Sequence, residues 1–151
     1  MRKYDKEILE SLNKLKLNES EDRVTKKDLE AIEKYADRLF NAVGIDVNFT
    51  KHFLARVNDE RNKKQITKEE LKRLFREAYK KYGKKISKLG DDAEAVLKDM
   101  RTDINVPFIL KWNKKEQEFD LVAKTVMRKK NFLTTSLKLA FEDLDKFKKV
   151  D

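Results

Sequence analysis

The stretch that decides the fold is residues 104–128, INVPFILKWNKKEQEFDLVAKTVMR. Two runs rich in β-branched and aromatic residues, INVPFILKW and EFDLVAKTVMR, flank the polar NKKEQ, and this pattern predicts an antiparallel hairpin. Side chains alternate across a strand. Phe119, Leu121, Ala123, Thr125 and Met127 are therefore expected on one, buried face, and Asp120, Val122, Lys124, Val126 and Arg128 on a half-solvated one. Pro107 cannot donate to a strand ladder, which puts its strand at an edge or a bulge beside it.

Upstream of the hairpin the periodicity is helical. Tyr4, Ile8, Leu9, Leu12, Leu15 and Leu17 form the apolar stripe of a helix over 3–17. After the polar NESEDR, Thr25 with Asp28 caps a second helix whose stripe is Leu29, Ile32, Tyr35, Ala36, Leu39 and Phe40, and Gly44 suits a left-handed stop. Residues 1–44 thus read as a helical pair, a cover for the main domain or an arm. IDVNF alternates as a short strand does, the segment around His52, Phe53, Leu54 and Val57 returns to helical spacing, and NDERNKKQ is a loop. Thr67 and Glu70 match a capping box, opening a helix with Leu71, Leu74, Phe75, Ala78 and Tyr79 inward and Gly83 at its end. DDAEAVLKDM (91–100) reads as one more short helix. Leu139, Phe141, Leu144 and Phe147 give residues 134–151 the spacing of a helical tail. The expected class is α+β, with N-terminal helices followed by a small twisted antiparallel sheet and a core over 45–133.

Composition narrows the function classes. The chain has 151 residues, enough for one domain, and with 39% hydrophobic and 43% charged residues it builds a modest core under an ionic surface. Its formal charge of +9 points to an acidic partner such as nucleic acid or an anionic membrane. The absence of cysteine excludes disulfides, thiolate catalysis and cysteine zinc sites, and fits a reducing cytosol. No apolar run approaches the roughly 18 residues of a membrane span, and MRKYDKEILESL lacks a signal-peptide core. The expectation is a cytoplasmic protein with no membrane partner.

Three basic clusters stand out: Arg56, Arg61, Lys63 and Lys64; Lys80, Lys81, Lys84 and Lys85; and Arg128, Lys129 and Lys130. Each phosphate contact gains from counterion release, so converging clusters hold a strand of RNA or DNA in a salt-dependent way. The 80–85 cluster has a plainer reading, because a helix C-terminus favours lysine. His52 is the only histidine. Histidine titrates near neutrality and serves attack by an RNA 2′-hydroxyl, which needs proton transfer, cations for the phosphorane and no metal. Arg56 follows one helical turn later on the same face. Asp91, Asp92 and Glu94 form an acidic helix start without a histidine, so no metal site and no cofactor are expected. With 3 glycines there is no phosphate-binding loop. Phe108 and Phe119 read as core. Trp112, at a strand end, is the candidate for stacking on a base.

A histidine four residues before an arginine, a basic loop, ITKEEL opening a helix, and a late strand ending LVAKTVMRKKNF resemble the barnase, EndoU, colicin and RelE-like nuclease superfamily, especially phage-borne members. The likeness covers about residues 45–133. It implies a metal-independent endoribonuclease with helices on one face of a twisted sheet and RNA on the open face, working in the cytoplasm of an infected bacterial host. By position it makes His52 and Arg56 candidates for proton transfer and phosphate binding. Thr125 and Arg128 would orient the scissile phosphate, with Lys124 a further candidate on the Arg128 face. In a regular strand Thr125 and Arg128 face opposite ways, so both serve one site only if a bulge intervenes. Arg61, Lys63 and Lys129 complete the expected substrate-binding set with Lys124 and Trp112. The implied partner is RNA, free or ribosome-bound. The alternatives are a non-catalytic basic nucleic-acid binder, and a host-takeover module that docks on a host protein through the N-terminal helices.

Overall fold

The computed structural model describes residues 23–142. The helix expected over 3–17, and the tail positions Leu144 and Phe147, lie outside them. The described elements are helix α1 (Lys26–Phe40), strand β1 (Ile45–Phe49), the short helix α2 (Phe53–Val57), helix α3 (Lys68–Ser87), and strands β2 (Glu94–Asp99), β3 (Ile104–Asn113), β4 (Glu118–Ala123), β5 (Met127–Arg128) and β6 (Leu137–Phe141).

Both long helices begin where their sequence says they should. Thr25 and Asp28, and Thr67 and Glu70, form reciprocal capping boxes, which satisfy backbone donors that an unadorned helix start leaves unpaired. Gly44 sits at φ 75°, the left-handed conformation that glycine adopts without penalty. Gly83 does not end α3, which runs on to Ser87. A Cβ on Gly83 would stand 2.9 Å from the Tyr79 ring, so the glycine lets that ring lie against the backbone.

The α+β class holds, but the sheet is mixed rather than antiparallel. Its strand order is β1-β4-β3-β2-β6, with β5 also on β3. The β3–β4 hairpin is antiparallel as expected, whereas β1 pairs β4, and β6 pairs β2, in parallel. Two expected helices are strands. Ala95 to Asp99 are buried throughout, so β2 lies between two covered faces and shows none of the alternation that separates strand from helix in a short apolar run. In 137–141 the inward residues are Leu139 and Phe141, a period of two.

One face of the sheet is built from Ile45, Val47, Leu97, Val106, Phe108, Leu110, Leu121, Ala123, Leu139 and Phe141, all in a single core with Ile32, Ala36 and Phe40 of α1 and Leu71, Leu74 and Phe75 of α3. The helix over 26–40 is thus a cover sharing the core of 45–133, and β6 extends the sheet past residue 133. On the second face, the connection from β5 to β6 passes over the Lys98–Asn105 pair of β2 and β3. Lys98, 7% exposed, reaches the Lys130 carbonyl at 3.0 Å and Asn105 Oδ1 at 3.3 Å beneath it. Burial holds the Lys98 ammonium below its usual range, opposed by the charge of Asp103. No helix among the described residues is long and apolar enough to cross a membrane.

Candidate nucleic-acid interface

The strand ending at Ala123 does not continue regularly into β5. Between the pairs Phe108↔Ala123 and Asn105↔Met127, β3 has two residues and its neighbour has three, Lys124, Thr125 and Val126. The extra residue is a bulge. Lys124 N donates to the Pro107 carbonyl at 2.9 Å. In an antiparallel ladder a residue's N–H and C=O face the same neighbour. The donor that Pro107 lacks would therefore point at the bulge, where no ladder bond is missed. Past the bulge the alternation is inverted. Arg128 pairs with Ile104 and turns to the helix-covered side, so it does not share the Lys124 face as regular alternation requires.

Parallel pairing of β1 with β4 brings a second segment to the same end of the sheet. Phe49 is opposite Ala123, and Thr50 bonds across to the Ala123 and Lys124 carbonyls. The chain then turns into α2. Phe53 stacks on Phe49, with ring centres 4.4 Å apart, and is buried with Val57. His52 and Arg56, each one residue earlier, come out on the neighbouring exposed face of that turn.

The basic loop after α2 is held by Asn62, only 6% exposed. Its Nδ2 donates to the Arg56 carbonyl at 2.8 Å, and its Oδ1 accepts from Arg128 N at 3.0 Å. The Arg128 guanidinium completes the clamp. Nε donates to the Lys64 carbonyl at 3.3 Å, Nη1 to Thr102 O at 2.9 Å and Glu70 Oε2 at 3.1 Å, and Nη2 to Gln65 O at 2.9 Å and Glu70 Oε1 at 2.7 Å. A guanidinium has five N–H donors, and all five are taken. Arg128 therefore shapes the groove rather than offering a free donor to a phosphate. Burial opposes the Glu70 charge, but the Arg128 and Thr67 hydrogen bonds outweigh it and keep that carboxyl below its ordinary range.

These segments enclose a groove of about 990 Å³. It is lined by His52, Arg56, Arg61, Lys63 and Lys64 from the α2 turn and the loop after it, and by Lys124, Thr125, Arg128, Lys129 and Lys130 from the bulge and β5 onward. Eight Lys or Arg residues stand against two aspartates, Asp59 and Asp103. Asp59 accepts from Arg61 Nη2 at 2.7 Å and from Arg56 Nη1 at 3.4 Å. The Arg61 hydrogen bonds hold its carboxyl well below the usual carboxylate range. Lys124 pairs with Glu94 at 2.6 Å. His52, Lys63, Lys64, Lys129 and Lys130 have no side-chain partner among the described residues. Beyond Arg128 a smaller hollow of about 530 Å³ shares Lys64, Asp103 and Arg128 and carries mixed charge from Glu69, Arg73 and Arg101. Beneath it the Arg73 guanidinium pairs with the fully buried Asp99 at 2.5 Å.

Seven of the eight expected site residues, His52, Arg56, Arg61, Lys63, Lys124, Arg128 and Lys129, thus line one groove. Trp112 does not. It is 43% exposed, packs edge-on to Phe119 and sits at the far end of β3. That is about 26 Å from Ile104 at the strand rise of roughly 3.3 Å per residue. The cluster Lys80, Lys81, Lys84 and Lys85 is also outside it; Lys81 reaches the Ala140 carbonyl instead. Sequence reading missed Asn62, whose only signal was an asparagine inside a loop. It also missed a carboxylate group. Asp91, Asp92 and Glu94 do not converge, whereas oxygens of Asp46, Glu118 and Asp120 lie within 4.8 Å of one another, because β1 and β4 are parallel neighbours. No family model, curated protein or solved structure matches the chain.

Proposed function

We propose that the groove binds RNA and that His52 makes it a metal-independent endoribonuclease of the general kind the sequence resembles, acting in the cytoplasm. The observation that supports this reading is the convergence of His52, Arg56 and Lys63 with Lys124 and Lys129, from two segments far apart in sequence, onto one concave basic surface. Here the 2′-oxygen attacks phosphorus, the bond to the 5′-oxygen breaks, and a 2′,3′-cyclic phosphate remains. One proton leaves the 2′-hydroxyl and one reaches the departing 5′-oxygen. His52 serves one of these transfers, and the neighbouring Arg56 and the free lysines offset the added negative charge of the phosphorane.

The test is cleavage of end-labelled, mixed-sequence RNA in EDTA, free and on translating ribosomes, with bound fraction recorded in the same tubes. Cutting by wild type, lost on His52→Ala with binding kept within about threefold, is the expected result; cutting by His52→Ala at the wild-type rate removes the assignment. A second reading, a non-catalytic binder, is favoured by one observation. Arg56 turns to Asp59, which leaves His52 beside lysines that supply charge but no positioned second acid. Salt-sensitive binding without product under either condition would select it.

A further inference from the structure

Which part of a nucleic acid the groove reads follows from which of its donors are free. Base edges are read by flat, directional groups, chiefly guanidinium and carboxamide, and unpaired bases are held by stacking on aromatic faces. In this groove most of the directional groups are engaged. Arg128 has spent all five donors, Asn62 is buried between two backbone segments, Arg61 bonds the Asp59 carboxylate through Nε and Nη2, and Arg56 turns its Nη1 to the same carboxylate at 3.4 Å. Among the described residues the lining includes His52 but no Phe, Tyr or Trp. Beside the remaining donors of Arg56 and Arg61, which flank Asp59, four ammonium groups are free among the described residues, Lys63 and Lys64 from one segment and Lys129 and Lys130 from the other. An ammonium is a rotatable point charge with no plane to match against a base edge.

We infer that the groove recognises the sugar–phosphate backbone of a polyribonucleotide and is indifferent to its bases. This rests on the RNA-binding reading above and adds the class of substrate: strands of any sequence, selected by charge and reach. Four free lysines also set the salt response. At about 0.7 per phosphate contact on a single strand, log K should fall with log salt at a slope of about −3.

The experiment uses the full chain carrying His52→Ala, which blocks cutting, and three probes of equal length: oligo(A), oligo(U) and an abasic ribose-phosphate oligomer. All three are expected to bind within about threefold of one another, because a stacked base is worth roughly 1–3 kcal/mol and its loss costs at least about fivefold. Adding Lys63→Gln with Lys129→Gln should halve the slope, to about −1.4, with the far-ultraviolet spectrum unchanged. A tenfold or greater loss with the abasic probe, or a tenfold gap between oligo(A) and oligo(U), overturns the inference while leaving RNA binding in place. Failure of all three probes to bind at low salt sinks the RNA reading itself, and this inference with it.

Discussion

The parallel pair β1 and β4 has two ends, and they carry opposite charge. At the C-terminal end, beyond Phe49 and Ala123, the chain delivers His52, Arg56, Lys124 and the bulge. Near the N-terminal end, about 10 Å away at the rise of a strand, Asp46 sits opposite Asp120 with Glu118 beside them. The basic end relieves its repulsion with Asp59, Glu94 and Glu70, leaving only selected lysines free. The acidic end has no such partners among the described residues. Burial, then Asp46 and its other acidic neighbours, raise the Glu118 and Asp120 carboxyls above their ordinary values, against a hydrogen bond from Asn113 in the case of Asp120. Pairing lowers a carboxyl's titration, as at Asp59 and Glu70, and crowding raises it, as at Glu118 and Asp120. The field between the two ends would also turn an approaching polyanion toward the groove.

The contrast breaks most severely at Arg128. Arg128→Ala leaves Glu70 charged and half-buried while freeing three backbone carbonyls, a loss on the order of 3 kcal/mol. Thermal unfolding should show it as a lowered Tm, with RNA affinity reduced although no free cation was removed. Next in size, Lys63→Glu with Lys129→Glu should weaken RNA binding on the order of 100-fold in moderate salt and leave Tm near that of wild type, as read by filter binding and calorimetry.

The acidic side gives smaller, pH-dependent effects. Asp37 on α1 accepts from Val47 N at 2.5 Å, and burial, with Asp46 and Glu33 nearby, raises its carboxyl to about 7. A folded value raised above the unfolded one means that the group's stability contribution is full below about pH 4 and is lost as pH rises through 7. Asp37→Asn keeps an acceptor for Val47 and removes the charge, so Tm should rise by about 3 °C at pH 8, a modest figure because solvent screens the half-exposed site, and should not change near pH 4. Asp120→Asn should act in the same direction by about 1 °C, since Asp46 and Glu118 keep some repulsion. A Tm gain at pH 4 as large as at pH 8 would refute the electrostatic origin of either effect.

The helices over 26–40 and 68–87, the hairpin and the left-handed Gly44 were legible because capping boxes, period-two runs and turn residues are local signals. The strands at 94–99 and 137–141 were not. A strand buried on both faces shows no alternation, and the five residues of β6 match a helical stripe once Leu144 and Phe147 are counted with them. Most of the site was readable as residue types, since lone histidine and clustered lysine are visible in one dimension. Its assembly was not, because the parallel β1–β4 pairing and the one-residue bulge are tertiary facts. Pro107 did signal that bulge. The difference between Arg128, fully engaged, and Lys129, free, depends on Glu70, 58 positions away in sequence.

Both margins of the sheet are closed by helix side chains. Val47 N and Phe49 N, on the outer margin of β1, donate to Asp37 and to Glu33 of α1, the latter at 2.9 Å. On β6 the Ala140 carbonyl accepts from Tyr82 Oη at 2.5 Å and from Lys81 Nζ of α3. At these positions the backbone offers no template for an incoming strand. Edge-to-edge polymerisation is obstructed there, and any macromolecule that engages these margins must do so through side chains rather than by adding a strand.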